Sequence, residues 1–182
     1  MRASLPADED ARIEALRQYE ILDTEPDEAF DNITRLAAYI CGTPIALISL
    51  LDSDRQWFKS RIGLSVDETS RDVSFCAHAI LQPGPLVVRD ALTDERFADN
   101  PLVTSAPNIR LYAGAPLTTS EGFKLGTLCV LDREPRELSD GQIAALRVLA
   151  HQAITLLDLR RSISALTRAS EDRKSGKEDK EI

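Results

Sequence analysis

The sequence predicts an α+β fold in which an antiparallel sheet of five to six strands carries helices on one face. Two observations support this prediction. The segment 109–131 has the pattern of a β-hairpin whose second strand is almost entirely apolar. Along the whole chain, predicted hairpins are flanked by helical segments. That order is typical of an antiparallel sheet with helices packed against it.

The hairpin is the element around which we expect the sheet to be organised. Its strands are predicted at 109–117 and 124–131, and the turn between them contains Gly122, which tolerates a positive φ. The second strand contains Leu-Gly-Thr-Leu-Cys-Val-Leu at 125–131. Because so apolar a strand is usually covered on both faces, we place it at the centre of the sheet.

The other elements follow from hydrophobic periodicity and from turn residues. The predicted helices are 7–22, a second helix that starts near Thr24 and ends at Gly42, a short helix at 75–81, another short helix around 94–97 and a long helix from 140 towards 167. The predicted strands outside the hairpin are 45–51, 56–62 and 86–90, with a polar loop at 63–69.

The chain is expected to contain one main domain with an extension at each end. We assign 1–24 to an N-terminal helical extension and 25–160 to the domain. Residues 161–182 contain the end of the long helix and a charged tail, which we expect to be disordered from Ser170 onwards.

Both terminal helices carry narrow apolar stripes that need a partner. The second half of the long helix has leucine and isoleucine at the spacing of a coiled-coil seam, which predicts a homodimer. The candidate dimer residues are Ile13 and Leu16 in the first helix and Leu156, Leu159, Ile163 and Leu166 in the long helix.

Composition excludes several classes of partner. The net charge of −8 and the pI of about 4.8 argue against binding to nucleic acid or to an anionic membrane, because phosphate recognition needs a basic surface. The sequence contains no apolar run of membrane-spanning length and no secretory signal, so we expect a cytoplasmic protein. The three cysteines are far apart in apolar contexts, which indicates reduced core thiols.

Six motifs, in the family's order, resemble those of GAF domains, in the branch found in bacterial sensor histidine kinases and diguanylate cyclases. They lie at 51–60, 71–80, 88–91, 94–102, 112–117 and 125–132. The resemblance implies a ligand pocket on one face of the sheet, beneath a cover of loops and short helices at 63–108. It also implies that the terminal helices pair between protomers and pass a signal to an output domain or protein.

The candidate pocket residues are Phe75, Cys76, His78, Asp90, Phe97 and Tyr112. Alternatives stay open for several of them. Asp90 fits ordinary turn chemistry better than ligand binding. His78 fits a hydrogen bond to the cover better than a metal site, and we expect no metal site. Tyr112 either faces the pocket or belongs to the core.

The cofactor is unknown from the sequence. Covalent bilin is not supported, because Ala77 separates Cys76 from His78 where bilin-binding GAF domains usually have an adjacent Cys-His pair. A cyclic nucleotide is not supported either, because the corresponding family pattern is absent. Haem stays open through His78, since some GAF sensors bind haem.

We interpret the chain as a non-enzymatic sensory module that dimerises and binds a small ligand to control an output partner. One alternative is a purely structural dimerisation domain whose pocket is filled by its own side chains. The other is a thiol-based reductase that uses Cys76, because some GAF proteins reduce free methionine sulfoxide. The cysteine placement does not resemble that enzyme's, so we expect no catalytic residue.

Overall fold

Six strands form one antiparallel sheet in a computed structural model that describes residues 2–178, with side chains described as far as Glu171. The strands are β1 (Ile45–Leu51), β2 (Arg55–Ile62), β3 (Glu68–Ser70), β4 (Leu86–Val88), β5 (Leu111–Thr118) and β6 (Lys124–Asp132). Their order across the sheet is β3-β2-β1-β6-β5-β4, and every neighbouring pair is antiparallel. The predicted fold class is confirmed.

The helices divide between the two faces of the sheet. They are α1 (Glu9–Gln18), α2 (Glu28–Cys41), α3 (Phe75–Ala79), α4 (Pro101–Thr104) and α5 (Asp140–Glu178). Buried residues of α1, α2 and α5 share one apolar cluster with the sheet, whereas those of α3 and α4 belong to a second cluster on the opposite face. Among the helices of residues 2–178, none combines the length and the apolar character needed to cross a membrane.

The predicted central strand lies in the middle of the sheet. β6 pairs with β1 on one side and with β5 on the other, and it is buried from Leu125 to Asp132. Its side chains alternate between the two apolar clusters, with Leu128 and Val130 facing the long helices and Cys129 and Leu131 facing the cover. This two-sided burial explains why the strand has no polar face.

The cover differs from the prediction in two places. The loop predicted at 63–69 ends in a short edge strand, β3, paired with β2. The short helix predicted at 94–97 is a single turn, closed by hydrogen bonds from the Phe97 and Ala98 amides to the Asp94 carbonyl, and the short helix α4 begins later, at Pro101. Asn100 caps that helix by accepting a hydrogen bond from the Leu102 amide, and proline suits the first helical position. Asp94 instead accepts a hydrogen bond from the Arg96 amide at 3.0 Å, which makes a turn.

The long helix continues to Glu178, beyond the end predicted near Thr167. Glutamate, lysine and arginine are good helix formers, and no proline interrupts the segment. The predicted disordered tail therefore overlaps the helix from Ser170, and its last four residues, 179–182, lie outside the described residues.

A buried ion cluster attaches α1 to the rest of the domain. Glu9 accepts hydrogen bonds from Arg12 at 2.7 and 2.8 Å and from Arg71 at 2.5 Å. Arg12 also donates to the Leu51 carbonyl, and Arg71 donates to the Asp52 carbonyl, at the end of β1. Removing one member leaves a buried charge without its partner, which lowers the free energy of unfolding.

This cluster predicts a loss of stability in acid. Burial raises the pKa of Glu9, but Arg12 and Arg71 lower it more, from 4.5 to about 2. The charged form is therefore favoured by folding, so this contribution is complete above about pH 4.5 and is lost as the pH falls towards 2. We expect the wild-type protein to lose about 2 kcal/mol more stability than Glu9→Gln between these pH values, measured by urea unfolding. Glu14→Gln, at an exposed site of the same helix, should keep the wild-type pH dependence.

Candidate functional site

A cavity of about 80 Å³ lies between the sheet and the cover. The sheet supplies its floor, and α3 with the segments 64–66 and 102–109 supplies its walls. Its lining residues are Leu47, Gln56, Phe58, Leu64, Val66, Thr69, Phe75, Cys76, Leu102, Pro107, Ile109, Tyr112 and Leu131. These residues include no charged side chain, and their polar groups are one amide, one alcohol, one phenol and one thiol. The arrangement suits a small neutral molecule.

Hydrogen bonds attach α3 to the sheet. Ser74 caps the helix by accepting a hydrogen bond from the Ala77 amide at 3.1 Å, and its own hydroxyl donates to the Gln56 side chain. The Gln56 amide group donates in turn to the Thr69 hydroxyl at 3.2 Å. These bonds satisfy the buried amide of Gln56 and hold the first residues of α3 against the cavity.

Aromatic side chains fill much of the space under the cover. Phe75 stacks on Phe97 with ring centroids 4.1 Å apart and on Tyr112 at 5.2 Å. His78 meets the Phe97 ring edge-on at 4.8 Å. Stacked and edge-to-face pairs of this kind are favourable arrangements for aromatic rings. They leave a small cavity beside Phe75 and Tyr112.

Two thiols meet beside this cavity, and Cys76 is the one that lines it. The Sγ atoms of Cys76 and Cys129 are 3.8 Å apart. Tyr112 donates a hydrogen bond from its hydroxyl to the Cys76 sulfur at 3.4 Å, and Thr127 donates another at 3.0 Å. The Tyr112 ring crosses over Gly114, where a Cβ atom would lie 2.1 Å from the tyrosine oxygen, so glycine is needed for this placement.

The thiols have unequal acidity. Burial raises the pKa of Cys76, but hydrogen bonds with Cys129, Thr127 and Tyr112 together lower it below that of an ordinary cysteine. Burial and the interaction with Cys76 raise the pKa of Cys129 well above the ordinary value. The hydroxyls of Tyr112 and Thr127 lie 3.4 and 3.0 Å from the Cys76 sulfur, so Cys76 is the thiol placed to carry negative charge.

The structure brings together only part of the predicted pocket set. Phe75, Cys76 and Tyr112 line the cavity, whereas Phe97 and His78 pack behind them. Asp90 lies outside the lining and accepts a hydrogen bond from the Leu92 amide at 3.1 Å, as turn chemistry predicts.

Sequence reasoning missed four polar neighbours of the cavity or its thiol, which are Gln56, Thr69, Thr127 and Cys129. Alternation along a strand places Thr127 and Cys129 on one face of β6. The sequence does not reveal which face α3 covers, so this signal is insufficient alone.

The candidate dimer residues fall into two groups. Ile13 and Leu16 are buried in the chain's own core and are not accessible to a partner, because α1 packs onto the sheet. Leu156 is half-buried. Leu159 is 57% exposed and Ile163 is 53% exposed, and Leu166 is exposed as well. Leu156 and Leu159 also line a groove of about 350 Å³ between α2 and α5, which we call the α2/α5 groove.

The cavity limits the size of a cofactor. Drug-sized ligands occupy sites of roughly 300 to 1,000 Å³, several times the volume here. Haem and a nucleotide are too large for a cavity of about 80 Å³ in this conformation, and His78 does not line it. Among residues with described side chains, no group of three or more His, Cys, Asp or Glu is arranged to hold a metal ion.

Comparison with known proteins agrees with this architecture. The chain is 48% identical, over 158 residues, to the cyclic di-GMP phosphodiesterase PA2567 of Pseudomonas aeruginosa. The match covers 86% of this chain but only 27% of the relative.

Solved structures share the fold at low sequence identity. The GAF domain of an Acinetobacter phosphoenolpyruvate-protein phosphotransferase has a TM-score of 0.60 at 18% identity, covering 85% of this chain and 98% of the other. The free methionine-R-sulfoxide reductase of Neisseria meningitidis has a TM-score of 0.57 at 19% identity, covering 91% and 98%. The family model described as the GAF domain matches residues 25–157. The chain belongs to the GAF domain family.

Proposed function

We propose that this GAF domain is a non-enzymatic sensory module that binds a small neutral molecule and controls an output partner. The observation that carries the proposal is the uncharged cavity between the sheet and the cover. It combines apolar walls with a few convergent polar groups, as binding sites for small molecules do. Its volume limits the ligand to a few heavy atoms unless the cover moves.

The proposed ligand has an apolar body and one or two hydrogen-bonding groups. The walls contributed by Leu47, Phe58 and Leu131 suit the apolar part. Gln56 and Thr69 already bond to each other at 3.2 Å, so a ligand that bonds to either exchanges one hydrogen bond for another. A charged ligand would lose its hydration with no opposite charge to replace it.

The proposed output route runs through the helices on the opposite face. α5 packs against β5 and β6, whose other face borders the cavity. A ligand that favours one packing of cover and sheet would bias the packing of α5, a two-state change that a partner reads. The similarity to a protein named as a cyclic di-GMP phosphodiesterase makes an enzyme of cyclic di-GMP turnover the first output to test. Such a role implies a bacterial, cytoplasmic setting.

The proposal includes a homodimer formed through α5. Leu159, Ile163 and Leu166 project from the part of the helix that extends past the sheet, and they are exposed apolar side chains at coiled-coil spacing. The α2/α5 groove continues this surface towards the body of the domain. A second copy of the chain would cover both.

A structural dimerisation domain is the second candidate. The stack of Phe75, Phe97 and Tyr112 favours it, because these rings leave so little room. A thiol-based reductase is the weaker alternative, since buried Cys76 is reached only through a cavity of about 80 Å³, which is too small for a substrate such as free methionine sulfoxide. If Cys76→Ser loses a reductase activity that the wild type has, the non-enzymatic proposal is wrong.

Native mass spectrometry of protein purified from its source tests ligand binding. We expect a dimer carrying a small-molecule adduct, and we expect Val66→Trp to lose the adduct because the larger side chain blocks the edge of the cavity. Val66 is 48% exposed, so the substitution should not disturb the core. Leu92→Trp is the matched control, since Leu92 is 47% exposed and lies outside the cavity lining. A dimer without adduct would favour the structural candidate instead.

A further inference from the structure

The paired thiols of Cys76 and Cys129 join two different parts of the fold. Cys76 lies in α3, in the cover, and Cys129 lies in the middle of the central strand β6. Their sulfurs are 3.8 Å apart although 53 positions separate them in sequence. A disulfide has an S–S distance of about 2.05 Å, so the sulfurs must approach by roughly 1.8 Å. The short α3 is the natural element to make this small movement.

We propose that Cys76 and Cys129 are a modification site at which a small hydroperoxide converts the two thiols into an intramolecular disulfide. The site does not depend on the ligand proposed above. It is a stoichiometric change in the protein and requires no enzymatic turnover.

The surroundings of Cys76 favour attack on a peroxide. The thiolate is the reactive form of a cysteine, and the hydroxyls of Tyr112 and Thr127 both point at the Cys76 sulfur, where they stabilise negative charge. Cys129 lies within reach as the resolving thiol. A buried thiolate without such donors would be too costly to form.

The cavity supplies the space for the oxidant. Cys76 is one of its lining residues, and the volume of about 80 Å³ holds a molecule the size of hydrogen peroxide. Val66, at the edge of the cavity, is half exposed, which marks the side from which a small molecule enters. The uncharged lining admits a neutral hydroperoxide and disfavours an anionic oxidant.

The chemistry balances in two steps. The Cys76 thiolate attacks the terminal hydroxyl oxygen of the hydroperoxide, the O–O bond breaks, and the departing oxygen takes the proton that the Cys76 thiol released and leaves as an alcohol or as water. Cys76 is then a sulfenic acid. The Cys129 sulfur attacks the Cys76 sulfur, the S–O bond breaks, and the hydroxide leaves as water with the proton of Cys129. Two thiols are oxidised by two electrons, and the hydroperoxide is reduced by two.

The product would hold the cover onto the sheet. In the disulfide, Cys76 is no longer the free thiol that accepts hydrogen bonds from Tyr112 and Thr127. The bond also joins α3 to β6, so α3 cannot move away from the cavity. Reversible disulfides in reducing compartments are commonly redox signals, so the bond would report peroxide stress.

Thiol counting on the full chain tests the site. The folded protein is treated with hydrogen peroxide, denatured, labelled with N-ethylmaleimide and weighed intact. We expect two fewer labels than in the untreated protein and a peptide that links Cys76 to Cys129, with the remaining label on Cys41. A treated protein that keeps all its labels, or that carries a sulfinic acid on Cys76 beside a labelled Cys129, would overturn the proposal.

Four variants separate this site from general oxidation. Cys41→Ser should still lose two labels, because Cys41 lies in α2 on the other face of the sheet, where burial raises its pKa to about 11. Cys76→Ser and Cys129→Ser should form no internal disulfide. Tyr112→Phe should slow the reaction about tenfold, because it removes one donor to the thiolate. If a variant does not fold, the peptide map of the wild type and of Cys41→Ser still decides the outcome.

Discussion

Gly126→Ala is expected to destabilise the domain by at least about 3 kcal/mol, or to prevent folding. Gly126 lies in β6, where it pairs with Leu50 of β1 and with Leu117 of β5. A Cβ atom built at this position would lie 1.9 Å from the Ser49 carbonyl oxygen and 2.8 Å from its carbon. These are main-chain atoms of the neighbouring strand, so no side-chain rotation relieves the clash. The strands must separate at the centre of the sheet, which breaks hydrogen bonds and opens both apolar clusters.

Urea unfolding followed by circular dichroism measures this effect, with Gly84→Ala as the matched control. At Gly84 a Cβ atom meets nothing within 4 Å, so the change in unfolding free energy should stay within about 0.5 kcal/mol. If Gly126→Ala unfolds at the wild-type urea concentration, the close approach of β1 and β6 is wrong.

The double variant Leu159→Glu/Ile163→Glu is expected to weaken the dimer at least about 100-fold while the domain stays folded. The two side chains are 57% and 53% exposed in the single chain, so replacing them removes little of its own core. In a dimer they would be buried against the partner helix, and glutamates there would be charges without partners. Sedimentation velocity at high micromolar concentration should show a dimer for the wild type and a monomer for the variant.

Two controls define this result. Ser164→Glu adds a charge to the same exposed stretch of α5 outside the seam, about 140° around the helix from Leu159 and about 100° from Ile163, and should leave the dimer intact. Leu157→Glu should instead unfold the domain, because Leu157 is buried against the sheet side of the helix. A wild-type protein that sediments as a monomer at high micromolar concentration would contradict the proposed homodimer.

The exposed surface of α5 and the buried surface of α1 show a limit of prediction from hydrophobic periodicity. Both helices carry narrow apolar stripes, and the sequence assigned both to a dimer interface. The structure covers Ile13 and Leu16 with the chain's own core but leaves Leu159 and Ile163 exposed. Periodicity reports that a stripe needs cover, but it carries no information on whether the same chain or a second copy supplies it.

Local signals worked where the physical cause was local. The hairpin was predicted because an apolar run, a glycine turn and a second run lie together in sequence. The helix at Pro101–Thr104 was misplaced, although a local signal was present in Asn100 and Pro101. Asp94 favoured a helix at the earlier position, but an Asp side chain caps turns as readily as helices.

By itself the sequence determined the α+β class, the antiparallel sheet with β6 at its centre, and the resemblance to GAF domains. These properties follow from the alternation of apolar residues and from motifs read along the chain. Only the tertiary structure decided the size of the cavity, the place of Tyr112 in its wall and the meeting of Cys76 with Cys129. Strand register and the fold of the cover bring these residues together over 53 positions, and contacts at that separation leave no periodic trace in the sequence.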